Sequence, residues 1–224
     1  MTMNCTLKKF FQRIWIPVCL TVFAAPNFAS ADIVTDFITI DDGRTRVFGG
    51  DEVDTTNESL TLTQSGSLID NVILEFDISS LSASALLSSA SLSLVQDGFA
   101  SDIGSTAIPI EAFVYAGDGV VTIDDFDALA TNIGDFSVPL SVTDGDVLTF
   151  DFADLSEFQS IVASGAEFLT IRLETNSFAT IGFASLEDPV FAPPTLRIES
   201  VPEPSCAGMT LLLGGFLVRR GRVA

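Results

Sequence analysis

Apolar side chains recur at every second position in short runs along most of this 224-residue chain. In ILEFDI at 73–78, for example, Leu74 and Phe76 alternate with Glu75 and Asp77. A period of two directs one set of side chains to a core and the other to water, which is typical of a β-strand. The runs that predict strands are 36–42, 59–65, 71–79, 89–97, 107–116, 146–154, 167–175, 178–185 and 194–200.

Two stretches have helical spacing instead. The first is 123–133, where Phe126 and Leu129 are spaced to meet a core, and the second is 155–165. In the second stretch the residues that share an apolar face are Leu155, Phe158, Ile161 and Val162. Gly, Asp, Asn and Ser separate the runs, as turns require. The pattern predicts an all-β fold, a two-sheet antiparallel sandwich with short helical turns.

The first 31 residues have the order of a secretory signal. A basic start is followed by an apolar stretch at 14–25, and then by small residues at Ala29 and Ala31, where a signal peptidase cuts. We expect residues 1–31 to form a signal helix that is removed, so that the mature chain starts at Asp32. A retained membrane helix is the alternative, although the apolar stretch is short for a span.

The segment between the two ends is strongly acidic. Residues 32–200 contain 29 acidic and four basic residues, a net charge of −25. Such a field repels nucleic acid and anionic membranes, which bind proteins through lysine and arginine. We expect one domain here, with no nucleic-acid partner.

Residues 32–200 contain no histidine, cysteine or lysine. Disulfides therefore cannot stabilise this segment, and histidine-based triads, histidine zinc sites and cysteine nucleophiles are excluded. Paired carboxylates can hydrolyse glycosidic bonds, but the sequence singles out no pair. Tyr115 is the single tyrosine, and no tryptophan is present in this segment to stack on sugars. The sequence predicts no catalytic residue and a protein that is not an enzyme.

One stretch resembles part of a calcium loop. Asp118, followed by glycine, and Asp125 match the second half of such a loop, but the first two ligand positions fall on Val114 and Ala116. A turn followed by a short helix capped by Asp124 is the prediction. A structural calcium ion held by Asp118, Asp124 or Asp125 is the alternative, and otherwise no cofactor is expected.

The C-terminal end has three parts in a fixed order. It begins with Val201, Pro202, Glu203 and Pro204. The uncharged run 206–218 follows, and as a helix it is about 20 Å long, short of the ~30 Å hydrocarbon core. A basic cluster then holds the C-terminus in the cytoplasm. Its members are Arg219, Arg220 and Arg222.

These three parts closely resemble the PEP-CTERM sorting signal. The resemblance implies that an exosortase reads the Pro-Glu-Pro and removes the hydrophobic helix, in a Gram-negative bacterium that makes extracellular polysaccharide. It also implies that the membrane holds the chain only until processing. A plain C-terminal membrane anchor is the alternative.

The domain itself resembles the DNRLRE-type β-sandwich domains. NVILEFDISSLSASALLSSASLSLV at 71–95 is similar to their R-x-L-L-R-F-D-L-S-S-L-P core, and FASLEDPVFAPPTLRIES at 183–200 is similar to their closing strand. Asn71 and Glu75 stand where that family usually has arginines. The resemblance implies a jelly-roll-like domain of the kind found on exported proteins, some of which bind polysaccharide.

Together these features predict a signal segment at 1–31, an acidic domain at 32–200 and a sorting segment at 201–224. We expect an exported protein of the cell surface or extracellular matrix, structural or adhesive, with signal peptidase and exosortase as processing partners. A carbohydrate-binding module for extracellular polysaccharide, assisted by calcium, is the alternative function.

Overall fold

The computed structural model describes residues 32–47 and 51–201. Within these residues the fold is all-β, with eleven strands, one α-helix and one 3₁₀ turn. The strands are β1 (Ile33–Val47), β2 (Asp51–Asp54), β3 (Ser59–Ser65), β4 (Leu68–Asp77), β5 (Leu86–Asp102), β6 (Ala107–Ala116), β7 (Thr131–Pro139), β8 (Val147–Asp151), β9 (Phe168–Glu174), β10 (Ala179–Ala184) and β11 (Thr195–Val201). The helix α1 is Ser156–Ser164, and the 3₁₀ turn is Ile123–Phe126. All nine predicted strands are confirmed.

The strands form one antiparallel sheet that folds over on itself. Their order is β2-β1-β11-β5-β10-β3-β4-β9-β6-β7, with β8 paired to β5. The two longest strands change partners part-way along. Strand β1 pairs with β11 over 33–38 and with β4 from Thr39, and β5 pairs with β11 and β8 before it pairs with β10. Bends of this kind carry a strand from one layer to another, so the fold is sandwich-like.

The core lies inside this fold-over. Its largest fully buried side chains include Phe76, Phe158 and Phe183, from β4, α1 and β10. Helix α1 is confirmed, and Phe158, Ile161 and Val162 pack into the core as their spacing predicts. The helix ends at Gly165, whose φ of 75° is the left-handed conformation that glycine adopts at helix C-termini.

The helix predicted at 123–133 is wrong beyond its first turn. The 3₁₀ turn ends at Phe126, and β7 begins at Thr131. Leu129, expected to meet the core, has 98% of its side chain exposed. The reason is that this segment lies on the outer face of the sheet, where Asp125 and not Leu129 turns inward.

The two ends of the domain lie side by side. Ile33, the first residue of β1, pairs with Ser200, next to the end of β11 at Val201. The predicted cleavage residues Ala29 and Ala31 lie outside the described residues, as do Pro202, Glu203, Pro204, Arg219, Arg220 and Arg222. In the described part of the chain, no helix has the length and apolar content needed to cross a membrane.

Candidate functional site

Four polar side chains lie in line across the outer face of the sheet. Asp41 on β1 is opposite Glu75 on β4, Glu75 is opposite Thr170 on β9, and Thr170 is opposite Tyr115 on β6. Residues directly opposite each other in a sheet share a face. Leu74 and Phe76, the neighbours of Glu75, point into the core, so these four side chains point away from it. We call Asp41, Glu75, Thr170 and Tyr115 the polar row.

A second row lies beside the first on the same face. It consists of Gly43, Ile73, Arg172 and Phe113, on the same four strands in the same order. The guanidinium carbon of Arg172 lies 5.4 Å from the centre of the Phe113 ring, within range of a cation–π interaction. The outer face therefore has apolar and aromatic surface beside its carboxylates.

Residues 117–128, here called the covering segment, lie over both rows. The Gly119 N–H donates to Glu75 Oε2 at 3.3 Å, and the Val121 N–H donates to Asp41 Oδ2 at 2.9 Å. Gly119 has φ of 86°, a conformation that glycine adopts at no steric cost. The carboxylates of the polar row thus accept hydrogen bonds from the backbone of the segment above them.

The far part of the covering segment is held by Arg172. Its Nη1 donates to the carbonyl oxygens of Asp125 and Ala128, both at 2.9 Å. Its Nε donates to Glu174 Oε1 at 2.6 Å, which pairs the buried charge. Asn71 adds a longer hydrogen bond, 3.4 Å, to the carbonyl of Phe126.

Asp125 is the residue of the covering segment whose side chain joins this hydrogen-bond network. Its Oδ1 accepts the Tyr115 hydroxyl at 2.8 Å, and its Oδ2 accepts the Thr122 N–H at 2.7 Å. The second contact is part of a capping box that starts the 3₁₀ turn. Burial, followed by the hydrogen bond to Asp125, raises the pKa of the Tyr115 hydroxyl, so this hydroxyl stays a donor.

Glu75 is the most constrained residue of the site. It is fully buried and accepts a hydrogen bond from the Thr170 hydroxyl. A methyl group at Gly117 would overlap both Glu75 and Thr170, so the segment passes directly over them. Burial raises the pKa of Glu75 to about 7, and the nearby charges of Asp125 and Asp118 act in the same direction.

A second buried carboxyl, that of Asp42, lies on the opposite face of the sheet from the polar row, because Asp42 is opposite the core residue Leu74. Asp42 is 1% exposed, and its Oδ2 accepts the Leu186 N–H at 2.8 Å and the Thr39 hydroxyl at 3.4 Å. Its Oδ1 has no hydrogen-bond partner among the described residues. Burial raises the pKa of Asp42 to about 7, with the charge of Glu187 contributing.

Two of the three carboxylates suggested for calcium, those of Asp118 and Asp125, accept hydrogen bonds from their own loop or its neighbours. Asp118 is exposed and accepts the Val120 N–H, Asp124 is exposed, and both oxygens of Asp125 accept hydrogen bonds from Tyr115 and Thr122. No cluster of three metal-ligating side chains occurs in residues 32–47 and 51–201.

Sequence reasoning placed the side chain of Glu75 wrongly. The period of two predicted Glu75 on a water-facing side, whereas the structure buries it. A signal for this burial was present, because Ile73, Phe113 and Tyr115 share the predicted water-facing side of their strands. Large apolar side chains on both faces of adjacent strands indicate a covered sheet.

Chemically, the arrangement fastens a loop onto a sheet through buried polar groups. Each carboxylate of the polar row and Asp125 accepts at least one hydrogen bond, as buried polar groups require. Glu75, whose pKa burial raises to about 7, lies within this network.

Comparison with known proteins gives no information about the function of this chain. No protein-family model matches the chain, and no match to it was found among curated proteins.

Proposed function

We propose that this chain is an exported structural or adhesive protein of the cell surface or extracellular matrix, sorted through residues 201–224. The observation that supports the proposal is where the first and last described strands lie relative to the two predicted cleavage regions. Strand β1 starts at Ile33, two residues after Ala31, and β11 ends at Val201, where the Val-Pro-Glu-Pro motif starts. Cleavage after Ala31 and between Pro202 and Ser205 would leave every described strand intact.

The distribution of charge supports a matrix role. The domain has four arginines, and each is paired with a carboxylate. The pairs are Arg44–Asp54, Arg46–Asp70, Arg172–Glu174 and Arg197–Asp36. The remaining carboxylates leave a hydrated anionic surface, which suits an exterior rich in salt and divalent cations and disfavours nucleic acid.

The finer fold assignment is part of the same proposal. The fold-over at β1 and β5 supports a two-sheet, jelly-roll-like arrangement, and with it the resemblance to the DNRLRE-type domains.

The experiment is the intact mass of the protein recovered from the envelope and medium of its own host. We expect a chain that starts at Asp32 and ends between Pro202 and Ser205. Replacing Pro202, Glu203 and Pro204 together by alanine should keep the tail attached, whereas Pro189→Ala, in a loop outside the motif, should leave processing unchanged. A wild-type mass that extends to Ala224 would overturn the sorting proposal and favour a plain anchor.

A polar cleft favours carbohydrate binding as a second candidate function. It has a volume of about 360 Å³ and is lined by amide, guanidinium and carboxylate groups beside Phe126. Polar groups next to an apolar surface suit a sugar ring and its hydroxyls. The lining includes Gln64, Asn71, Asp127 and Arg172. A glycan array should show selective binding that Gln64→Ala reduces. An array without signal would contradict carbohydrate binding, and the structural role would then be the remaining candidate.

A further inference from the structure

An open cleft of about 370 Å³ lies at the end of the domain where β1 begins and β11 ends. One wall consists of Ile33 and Thr35 of β1 together with Ser200 and Val201 of β11. The other wall is part of loop 78–85, which joins β4 to β5. A cleft of this volume is large enough to hold a small ligand or a short piece of chain.

The loop wall of the cleft is held in place by hydrogen bonds. The Leu81 N–H donates to the Ile78 carbonyl, and the Ala85 N–H donates to the Ser82 carbonyl, both at 2.9 Å. From helix α1, Gln159 Nε2 donates to the Ala85 carbonyl at 2.8 Å. Leu81 and Ala85 also pack against the core. The cleft is therefore preformed, as ligand sites in proteins usually are.

The cleft lies on the core side of β11. Along this strand Leu196, Ile198 and Ser200 are buried, and the residues between them are not. Thr35 of the cleft wall is opposite Ile198, so the cleft and these buried side chains share one side of the strands. Alternation along β11 predicts that position 202, the next after Val201, lies on this side too.

The sequence after Val201 favours an extended chain. Val201 and Glu203 each precede a proline, whose ring disfavours the helical conformation of the residue before it. In an extended chain the side chains of Pro202 and Pro204 point toward the cleft, and that of Glu203 points away from it. These three residues lie outside the described part of the chain.

The chemistry of the cleft matches this segment. None of the residues that line the cleft is charged, whereas three other clefts among the described residues each have a carboxylate in their lining. Proline rings are apolar, and Pro-Glu-Pro has three carbonyl groups but a single N–H. Hydroxyl groups in the lining, including those of Thr35 and Ser200, can donate to such carbonyls.

We propose that the cleft binds Pro202, Glu203 and Pro204 of the same chain, with both proline rings in the cleft and the Glu203 carboxylate in water. Burial of proline costs little side-chain entropy, and the segment follows Val201 directly, so no linker has to be ordered. The contact needs no processing enzyme. It therefore goes beyond the sorting proposal and stands or falls separately from it.

The first test is nuclear magnetic resonance of the full chain in detergent micelles, which take up the apolar stretches 14–25 and 206–218. Proline and the methyl groups of isoleucine and leucine are isotopically labelled. We expect nuclear Overhauser contacts from the ring protons of Pro202 and Pro204 to the methyl groups of Ile33 and Leu81.

Two variants of the segment test which side chains dock. Replacing Pro202 and Pro204 together by serine should shift the methyl signals of Ile33 and Leu81, because the apolar rings leave the cleft. Glu203→Gln is the matched control. It changes the side chain that points to water, so it should keep every contact of the two prolines.

Two variants of the domain test the cleft itself. Ile33→Asp places a charge in the cleft wall and should abolish the proline contacts. Val147→Asp is the control, because Ile33 and Val147 are each the first residue of a strand and are 53% and 66% exposed. It should leave the contacts intact, and unchanged methyl signals from the core show that both variants are folded.

The proposal is overturned by a folded wild-type chain in which neither proline contacts the cleft. Contacts from Leu211, or from residues before Asp32, in place of the prolines would assign the cleft to another segment and also overturn it. So would proline contacts that survive in Ile33→Asp. A tail that the host leaves uncut would contradict the sorting proposal without affecting these results.

Discussion

At the scale of single residues, the domain buries two carboxyl groups, those of Glu75 and Asp42, in different places. Glu75 lies under the covering segment, and Asp42 lies under the loop that contains Leu186. Burial removes water from both, which disfavours the charged form and raises each pKa to about 7. In both cases the folded domain holds the proton more tightly than the unfolded chain does.

Glu75→Gln should reduce the dependence of stability on pH. The pKa of Glu75 rises from 4.5 to about 7 on folding, so its stabilising contribution is complete below pH 4.5 and is lost as pH rises through 7. The loss amounts to about 3 kcal/mol at most. Glutamine resembles the protonated form, so urea unfolding should show the variant to be more stable than wild type at pH 8 and about equal at pH 4.

A matched control is Asp124→Asn, which removes an exposed charge from the same segment. It should leave the pH dependence close to that of wild type. A Glu75→Gln protein that keeps the full wild-type slope between pH 5 and 8 would show that Glu75 is not the titrating group.

The sequence predicted the strand of Glu75 but not its burial. Alternation in a single strand gives two faces, and it says nothing about whether a distant segment covers the second one. Glu75 is buried by Gly117 and Gly119, which lie more than forty positions further along the chain. Only a comparison of β4, β6 and β9, once they are known to be neighbours, shows the shared apolar and polar rows.

At the scale of elements, the covering segment depends on one buried arginine. Arg172→Met keeps the bulk of the side chain but removes the donors to Asp125 and Ala128, and it leaves Glu174 without its partner. We expect a loss of roughly 2–4 kcal/mol in unfolding free energy. Hydrogen exchange should rise selectively in residues 117–128.

The control for this change is Arg197→Met. Arg197 is half-exposed, and its carboxylate contacts are 3.6 Å and 3.9 Å long. Exposed pairs contribute about 0–1 kcal/mol, so this variant should unfold much like wild type. Equal losses for the two variants would contradict a special role for Arg172.

The elements that sequence reasoning missed lack a clear hydrophobic period. Strand β2 has one apolar residue, Val53, and lies beside Arg44 and Arg46, which pair with carboxylates. In β7 the apolar residues are unevenly spaced, and a bulge in the β6–β7 ladder shifts the register. Helix α1, by contrast, has its apolar residues on one face and was predicted correctly.

At the scale of the whole molecule, the net charge of −25 makes the folded domain repel itself. Raising NaCl from 10 mM to 0.5 M should screen this repulsion and raise the melting temperature, by roughly 2–4 °C per kcal/mol gained.

Calcium and magnesium should raise the melting temperature of the domain equally at matched ionic strength. Because Asp118 and Asp125 already accept hydrogen bonds within the protein, we expect calorimetry to show no preference for calcium. A larger gain with calcium than with magnesium would instead support the calcium site at Asp118, Asp124 or Asp125.

The pairing of Ile33 with Ser200 also determines how the domain responds to mechanical force. A pull applied between Ile33 and Val201 would separate β1 from β11 one residue pair at a time, which needs little force. A pull between the C-terminal end and a ligand at the opposite end of the domain loads β11 along its length, against β1 and β5 together. All the hydrogen bonds of β11 with β1 and β5 then share that load, so this direction of pull should need more force than a pull between Ile33 and Val201.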